Sequence, residues 1–246
     1  MTVRVEPAKI LLFATPAHAC SYLPGRDATT LFVDPDFPKD IGIYTLLSRN
    51  GFRRSGEHVY RPNCEACAAC VPVRVPVAEF RPRRSQRRTL KDNRDLRVVP
   101  RESHFCEEHF LLYSRYLSAR HANGGMDNPT RKQYREFLLS SWSETLLYEF
   151  RLGGHLLAVA VADHLSDGLS AVYTFFDPDA SARGLGVYAV LWQIEAARRA
   201  GLDWVYLGFA IEGCRKMEYK RAYLPQERYE KGRWTRHGSP PEARQR

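Results

Sequence analysis

Cys64-Glu65-Ala66-Cys67-Ala68-Ala69-Cys70 sets three thiols at a Cys-x-x-Cys-x-x-Cys spacing, with Cys20 upstream. Two intervening residues let both sulfurs of a turn converge on one soft metal ion, and four thiolates close a structural site. The expected ligand set is Cys20, Cys64, Cys67 and Cys70, holding zinc or an iron–sulfur centre. The competing reading is four reduced thiols packed in a turn-rich domain. Cys106 and Cys214 stand alone and read as small buried hydrophobes.

Residues 81–97 carry a second chemistry. Eight of them are Lys or Arg, and only Asp92 and Asp95 are acidic. A helix from Gln86 to about Asn93, capped by Ser85, would put Arg84, Arg87, Arg88, Lys91 and Arg94 on one face. With Arg83 they would form a phosphate-binding surface that supplies affinity without reading sequence. The plainer alternative is a solvated face paired with acids elsewhere.

Two further stretches sit beside loops. Tyr173-Thr-Phe-Phe-Asp-Pro-Asp179 leads into Ala182-Arg-Gly-Leu-Gly-Val-Tyr188, a strand end, a loop with Gly184 and Gly186, then a helix. Free N–H groups at such a helix start stabilise an anion, either a phosphate or a tetrahedral oxyanion. The alternative is that the glycines only make the turn. Tyr206 to Lys220 reads as a strand leaving a core, then a polar loop presenting Arg215, Lys216 and Lys220. These cations suit an acidic substrate or an RNA end; the bland reading is a surface turn.

The elements that must position these groups follow from pattern. The chain has 246 residues, 44% hydrophobic, with net charge +9. That suits one large domain or two small ones, and the charge favours polyanionic partners. No apolar run spans a bilayer, and Met1–Phe13 lacks the long apolar region of a signal peptide. A cytoplasmic protein without a membrane partner is expected; oligomeric state is not legible. The expected fold is mixed α+β or α/β, with a small Cys-containing N-terminal domain (1–80) and a basic connecting segment (81–97). A domain with a mixed sheet flanked by helices (98–232) and a disordered tail (233–246) follow. Within them, a helix is expected at Ile41 to Asn50, displaying Ile43, Leu46 and Leu47. Val71–Val77 reads as an edge segment because of its prolines. Glu107–Arg120 shows helical spacing, broken by Asn123-Gly124-Gly125. Thr130 caps a helix at Tyr134–Ser140. Thr145–Arg151 and Leu156–His164 read as a hairpin, Ala171–Phe176 as a strand, Gly186–Arg199 as a helix, and Trp204–Gly208 as the final strand.

The ensemble resembles the bacterial branch of the aminoacyl-tRNA–protein transferases, the R-transferase family. The similar segments are CSYLPGR (20–26), GFRRSGEHVYRPNCEACAACVPVRV (51–75), FRPRRSQRRTLKDN (80–93), YSRYLSARH (113–121), YTFFDPD (173–179), RGLGVYAVLWQIEAARRAGL (183–202) and YLGF with CRKMEYK (206–220). They run collinearly over about 200 residues. The resemblance implies a GNAT-like acyltransferase domain. It also implies leucine transfer from leucyl-tRNA to proteins bearing N-terminal Asp or Glu, which marks them for the N-degron pathway. Arginyl-tRNA as donor stays open. So do an acetyl-CoA-dependent acetyltransferase, for which Ala180–Gly186 is only a loose pyrophosphate loop, and a non-catalytic RNA-binding protein.

Under that resemblance the chemistry is aminolysis of an activated ester, which requires no cofactor for the step. Backbone N–H groups near Gly184 and Gly186 are candidate oxyanion donors, and Tyr173, Asp177 and Tyr188 candidate proton relays. Arg215, Lys216 and Lys220 are candidates for the acceptor's acidic side chain or the terminal adenosine phosphate. Phe175, Phe176 and Leu185 are candidates for the leucyl pocket.

Overall fold

The computed structural model describes residues 9–120 and 128–238. The expected break at Asn123-Gly124-Gly125 lies outside the described residues. So do residues 239–246 of the expected tail. Short strands come first: β1 (Leu12–Ala14), β2 (His18–Ala19), β3 (Asp27–Ala28) and β4 (Thr30–Val33). Then follow α1 (Ile41–Arg49), β5 (Arg53–Ser55), β6 (His58–Pro62) and β7 (Cys70–Pro76). The middle of the chain holds α2 (Arg84–Asp92), β8 (Arg97–Glu102), α3 (Glu107–Arg120) and α4 (Arg131–Leu138). The remainder is β9 (Thr145–Leu152), β10 (His155–His164), β11 (Gly168–Phe176), α5 (Leu185–Arg199), β12 (Trp204–Ile211), β13 (Gln226–Glu230) and β14 (Arg233–His237). Short 3-10 segments at Pro178–Arg183 and Glu218–Ala222 follow β11 and β12.

An eight-stranded mixed sheet runs β14-β13-β7-β12-β11-β10-β9-β8, and a four-stranded sheet runs β1-β4-β6-β5. β2 and β3 pair separately. Alternation along β10 sorts the two faces of the large sheet. Ala158, Ala160 and Ala162 pack with Leu185, Tyr188 and Ala189 of α5, while Val159 and Val161 pack with α3 and α4. Helices therefore cover both faces of the sheet, the arrangement expected of an α/β layer fold.

Local signals explain the starts of three helices. Asp40 accepts from the N–H of Ile43 at 2.8 Å and starts α1. Within α1 the buried apolar residue is Leu47, with Tyr44; Leu46 is exposed. Thr130 and Gln133 form a capping box for α4, which begins three residues before Tyr134. α2 begins at Arg84 rather than Gln86. Buried Gln86 reaches back to accept from the N–H of Arg83 at 2.9 Å, so Arg83 caps the helix in place of Ser85.

Three expectations fail in the β14-β13-β7-β12 part of the sheet. Arg233–His237 is not tail but β14, paired with β13 from Gln226↔His237 to Glu230↔Arg233. Trp204–Gly208 is accordingly not the last strand. The Val71–Val77 segment is not an edge either: β7 lies between β12 and β13. The N–H of Val77 donates to Asp203 O at 2.9 Å, toward β12. Alternation then turns Pro72 and Pro76 toward β13, which pairs only with Val73 and Arg74. The prolines thus forfeit no ladder bond, which is the condition for proline inside a sheet.

Candidate active site

β11 and β12 are parallel neighbours for three residue pairs, Gly168↔Trp204 to Ser170↔Tyr206, and then part company. Each strand meets its other neighbour with a register shift near that point. The shift lies between Val161 and Ala162 opposite β11, and between Tyr206 and Gly208 on β12. Bulges bend strands and raise their twist, so both sides of the pair turn away together. The gap leaves strand carbonyls without ladder donors. Tyr206 and Phe209 oppose Arg74 and Pro72, which face away from β12. Their carbonyls therefore point into the gap, and the bulge at Gly208 (φ 79°) keeps them in phase.

Two buried cations take up these carbonyls. Arg53 of β5 donates through Nη1 to Ser170 Oγ at 3.0 Å and to Tyr206 O at 3.2 Å, and through Nη2 to Ala171 O. Lys220 donates through Nζ to Phe209 O at 2.5 Å and touches Met217 Sδ at 3.3 Å. Burial first, and then Arg53, pulls the Lys220 ammonium down to about 7. Beside them Tyr219 keeps nearly half its surface exposed, while desolvation lifts its phenol to about 12. The opposite wall is aromatic. Tyr173 meets Tyr113, Tyr116 and Phe137 at 5.1–6.3 Å, and Tyr116 meets Phe176 at 4.8 Å. Burial raises the Tyr173 hydroxyl well above the usual phenol range. Arg120 stacks over Tyr116 and Phe176 at 5.9 and 5.7 Å.

The turn into α5 adjoins this wall. Gly184 is left-handed (φ 62°), and a Cβ at Gly186 would stand 3.2 Å from Phe176 Cε1. Gly184 is unsuited to the oxyanion role, because its N–H already donates to Ser181 O at 3.1 Å. The first-turn N–H groups of Leu185 and Gly186 have no intrahelical acceptor. The expected relay is not assembled. Tyr188 stacks on Phe150 in the core beneath α5, on the other face of the sheet from Tyr173. Asp177 caps its turn by accepting from Asp179 N at 3.0 Å, and pairs with Arg115 at 2.9 Å. Phe175 and Leu185 are sealed in the core, whereas Phe176 is partly exposed. Arg215 and Lys216 are exposed in the loop beyond β12, while Lys220 is buried and is not a surface clamp.

α2 lies beside the same turn. Asn93 donates to Arg183 O at 2.7 Å, Arg183 pairs with Asp95 at 2.8 Å, and Gln86 donates to Ala222 O at 3.1 Å. These bonds use the helix's polar inner residues. Arg83, Arg84, Arg87, Arg88, Lys91 and Arg94 are all exposed.

The cysteines come near one another without forming the expected ligand set. Among the described residues, no group of three or more Cys, His, Asp or Glu side chains is arranged to hold a metal ion. The thiols have other partners: Cys67 Sγ accepts from Arg26 at 3.3 Å, Cys20 Sγ from the N–H groups of Tyr22 and Leu23, and Cys64 Sγ donates to Thr29 O at 3.8 Å. Burial, with the neighbouring Cys64, Cys20, Cys67 and Cys214, pushes the Cys70 thiol up to about 12. Cys70 also lies near Tyr60, whose ring is 6.0 Å from Phe209, so the cysteine region borders the gap.

A shallow cavity of about 860 Å³, lined in part by Glu57, Arg135, Glu136, Glu144 and His164, shares no residue with the gap. Arg53, Tyr116, Arg120 and Tyr219 carry the gap's chemistry and were not singled out by pattern. One usable signal was present. A glycine inside a strand, as in Leu207-Gly208-Phe209, marks a bulge or a close backbone approach.

Among the described residues no helix is long and apolar enough to cross a membrane. Residues 18–88 match the family described as arginine-tRNA-protein transferase, N terminus, and residues 108–230 match its C terminus. A protein of Pseudomonas fluorescens (strain Pf0-1) named aspartate/glutamate leucyltransferase is 53% identical over 230 residues, 94% of this chain and 98% of that one. A protein of the same name from Hahella chejuensis (strain KCTC 2396) is 55% identical over 216 residues, 88% of this chain and 92% of that one. The chain belongs to the arginine-tRNA-protein transferase family.

Proposed function

We propose that this chain transfers leucine from leucyl-tRNA to the N-terminal amine of proteins that begin with Asp or Glu. The observation that carries the reading is near-complete collinear similarity to aspartate/glutamate leucyltransferases, at 53% identity across 98% of the relative's length. The leucine so added would serve as a degradation signal.

The reaction is aminolysis of an ester. The acceptor's neutral α-amine attacks the aminoacyl carbonyl; a C–N bond forms, and the C–O bond to the tRNA 3′ oxygen breaks. The ammonium proton passes to solvent or a nearby base, and the 3′ oxygen leaves as a hydroxyl. An α-amine has a pKa near ~8, so a useful fraction is neutral at pH 7. The ester is already activated, so the protein's task is positioning, worth up to about 7–11 kcal/mol, and oxyanion stabilisation.

The gap between β11 and β12 suits that task. It opens in the parallel β11/β12 pair of the mixed sheet. It carries the partly exposed ring of Phe176, packed on buried Tyr116, for a leucyl side chain, and the N–H groups of Leu185 and Gly186 adjoin it. The exposed basic face of α2 flanks the same turn and would hold the tRNA by its phosphates. Arg215 and Lys216 would lie at the rim, toward the terminal adenosine.

Arginine as donor is the second reading, favoured by the family's own description. Purified protein, leucyl- or arginyl-tRNA carrying labelled amino acid, and peptides starting with Asp, Glu or Ala separate the two. Label passing from leucyl-tRNA to the Asp and Glu peptides supports leucine. Label passing only from arginyl-tRNA replaces it.

A further inference from the structure

We infer that Arg53 and Lys220, at the point where β11 leaves β12, form the seat for the acidic side chain of the acceptor's first residue. The inference rests on the transfer reading and deepens it.

Charge balance comes first. Three nearby arginines have a carboxylate: Arg49 has Asp167, Arg54 has Asp163 and Arg74 has Glu227. Arg53 and Lys220 are 8% and 5% exposed, lie close enough to repel, and have no carboxylate partner among the described residues. Two buried like charges without a counter-ion are costly, and an incoming anion removes that cost.

Donor count comes second. A guanidinium has five N–H donors and an ammonium three. Arg53 uses three of its five, on Ser170, Tyr206 and Ala171. The Nε–H and one Nη2–H have no acceptor among the described residues. Lys220 uses its hydrogens on Phe209 O and Met217 Sδ and keeps a third. The Nε/Nη2 edge is the fork that takes a carboxylate through two bonds, and Lys220 adds a third donor.

Space comes third. A Cβ at Gly208 would stand 3.1 Å from Arg53 Nε and 3.4 Å from Cζ and Nη2. Glycine therefore lets the bulge pass close to that edge with no side chain against the guanidinium, and its φ of 79° disfavours other residues. A site built from charged donors rejects the neutral isostere, because Asn or Gln cannot balance the charge. That is the discrimination an acidic-acceptor enzyme requires.

The titratable and charged groups facing Lys220 are Arg53 of β5, Cys70 at the start of β7, and Cys214 and Tyr219 of the loop beyond β12. The test follows the Lys220 ammonium by NMR in 15Nζ-lysine-labelled wild-type protein, with peptides starting with Asp or Asn and no tRNA. The expected result is a titration midpoint that moves upward by about one pH unit with the Asp peptide and not with the Asn peptide. Equal midpoints with both peptides overturn the inference. A second arm compares kcat/KM for Asp and Asn peptides in wild type, Lys220→Met and Arg53→Lys. The Asp-over-Asn preference should collapse at least about tenfold in both folded variants. An unchanged preference, or equal losses on both peptides, identifies the pair as strand-carbonyl ligands only. Failure of wild type to transfer from either tRNA refutes the transfer reading, while the NMR arm still reports on the anion seat.

Discussion

Arg54 and Asp163 form a two-bond ion pair with no exposed side-chain surface, Nη2 to Oδ1 at 2.7 Å and Nε to Oδ2 at 2.8 Å. Tyr44 OH and Thr145 Oγ1 donate to the same carboxylate at 2.8 and 2.7 Å. The pair joins β5 of the small sheet to β10 of the large one. Arg53 is the next residue back along β5, so this buried pair sets how far the Arg53 guanidinium reaches into the gap.

Removing one partner strands the other in the interior. Asp163→Ala is expected to cost about 3–5 kcal/mol of stability. Urea unfolding at pH 7 reads it directly. A loss within 1 kcal/mol, on the order of an exposed pair, would contradict the coupling of the two sheets.

Gly208→Ala tests the gap's geometry. A left-handed non-glycine residue costs about 1–2 kcal/mol, and the new methyl presses on Arg53. The expected outcome is a modest loss of stability with a disproportionate rise in KM for acidic acceptors. Wild-type KM in a folded variant would show that this side of Arg53 meets no substrate.

Arg87→Ala with Arg88→Ala removes two exposed cations from α2. tRNA affinity should fall for every tRNA alike. The slope of log K against log salt should become shallower by roughly one to two, since each lost phosphate contact contributes about 0.7–0.9. Filter binding over a salt series checks this; an unchanged slope places the RNA elsewhere.

Lys220 makes stability depend on pH with a defined sign. Its ammonium falls from 10.5 in the ordinary state to about 7 in the fold. Between those values the unfolded chain binds the extra proton, so this group's contribution makes stability rise with pH across that window. Below about 7 both states are protonated, and the cost of the buried charge is constant. Lys220→Met should flatten the slope from pH 7 toward 9.5, measured by denaturant titration against wild type. Parallel curves would mean that Lys220 stays charged throughout.

α1, α3 and α5 were legible from their apolar spacing and helix breakers, whereas α2 and α4 begin before their expected starts, at Arg84 and Arg131. α3 spans the expected Glu107–Arg120, and the hairpin of β9 and β10 falls within a residue of its expected ends. The basic face of α2 was legible from the spacing of its cations. The gap was not, because it is a tertiary event: it needs two bulges in strands far apart in sequence, and a side chain from β5 between them. Lys220 looked like a surface cation because neighbouring residues are charged, yet its 3-10 segment folds back under β12. β7 was misread as an edge because the absence of a proline N–H matters only on the side where a ladder bond is needed. The relay of Tyr173, Asp177 and Tyr188 failed on direction, since Tyr173 and Tyr188 lie on opposite faces of the sheet.

One assay reads charge-specific leucyl transfer directly. Labelled leucyl-tRNA and arginyl-tRNA are offered in turn to peptides differing only in the first residue, Asp, Asn or Ala. Label is expected to pass from leucyl-tRNA to the Asp peptide, with Asn and Ala far behind. Equal transfer to Asp and Asn, or no transfer from leucyl-tRNA by folded, tRNA-binding protein, would contradict charge-specific leucyl transfer.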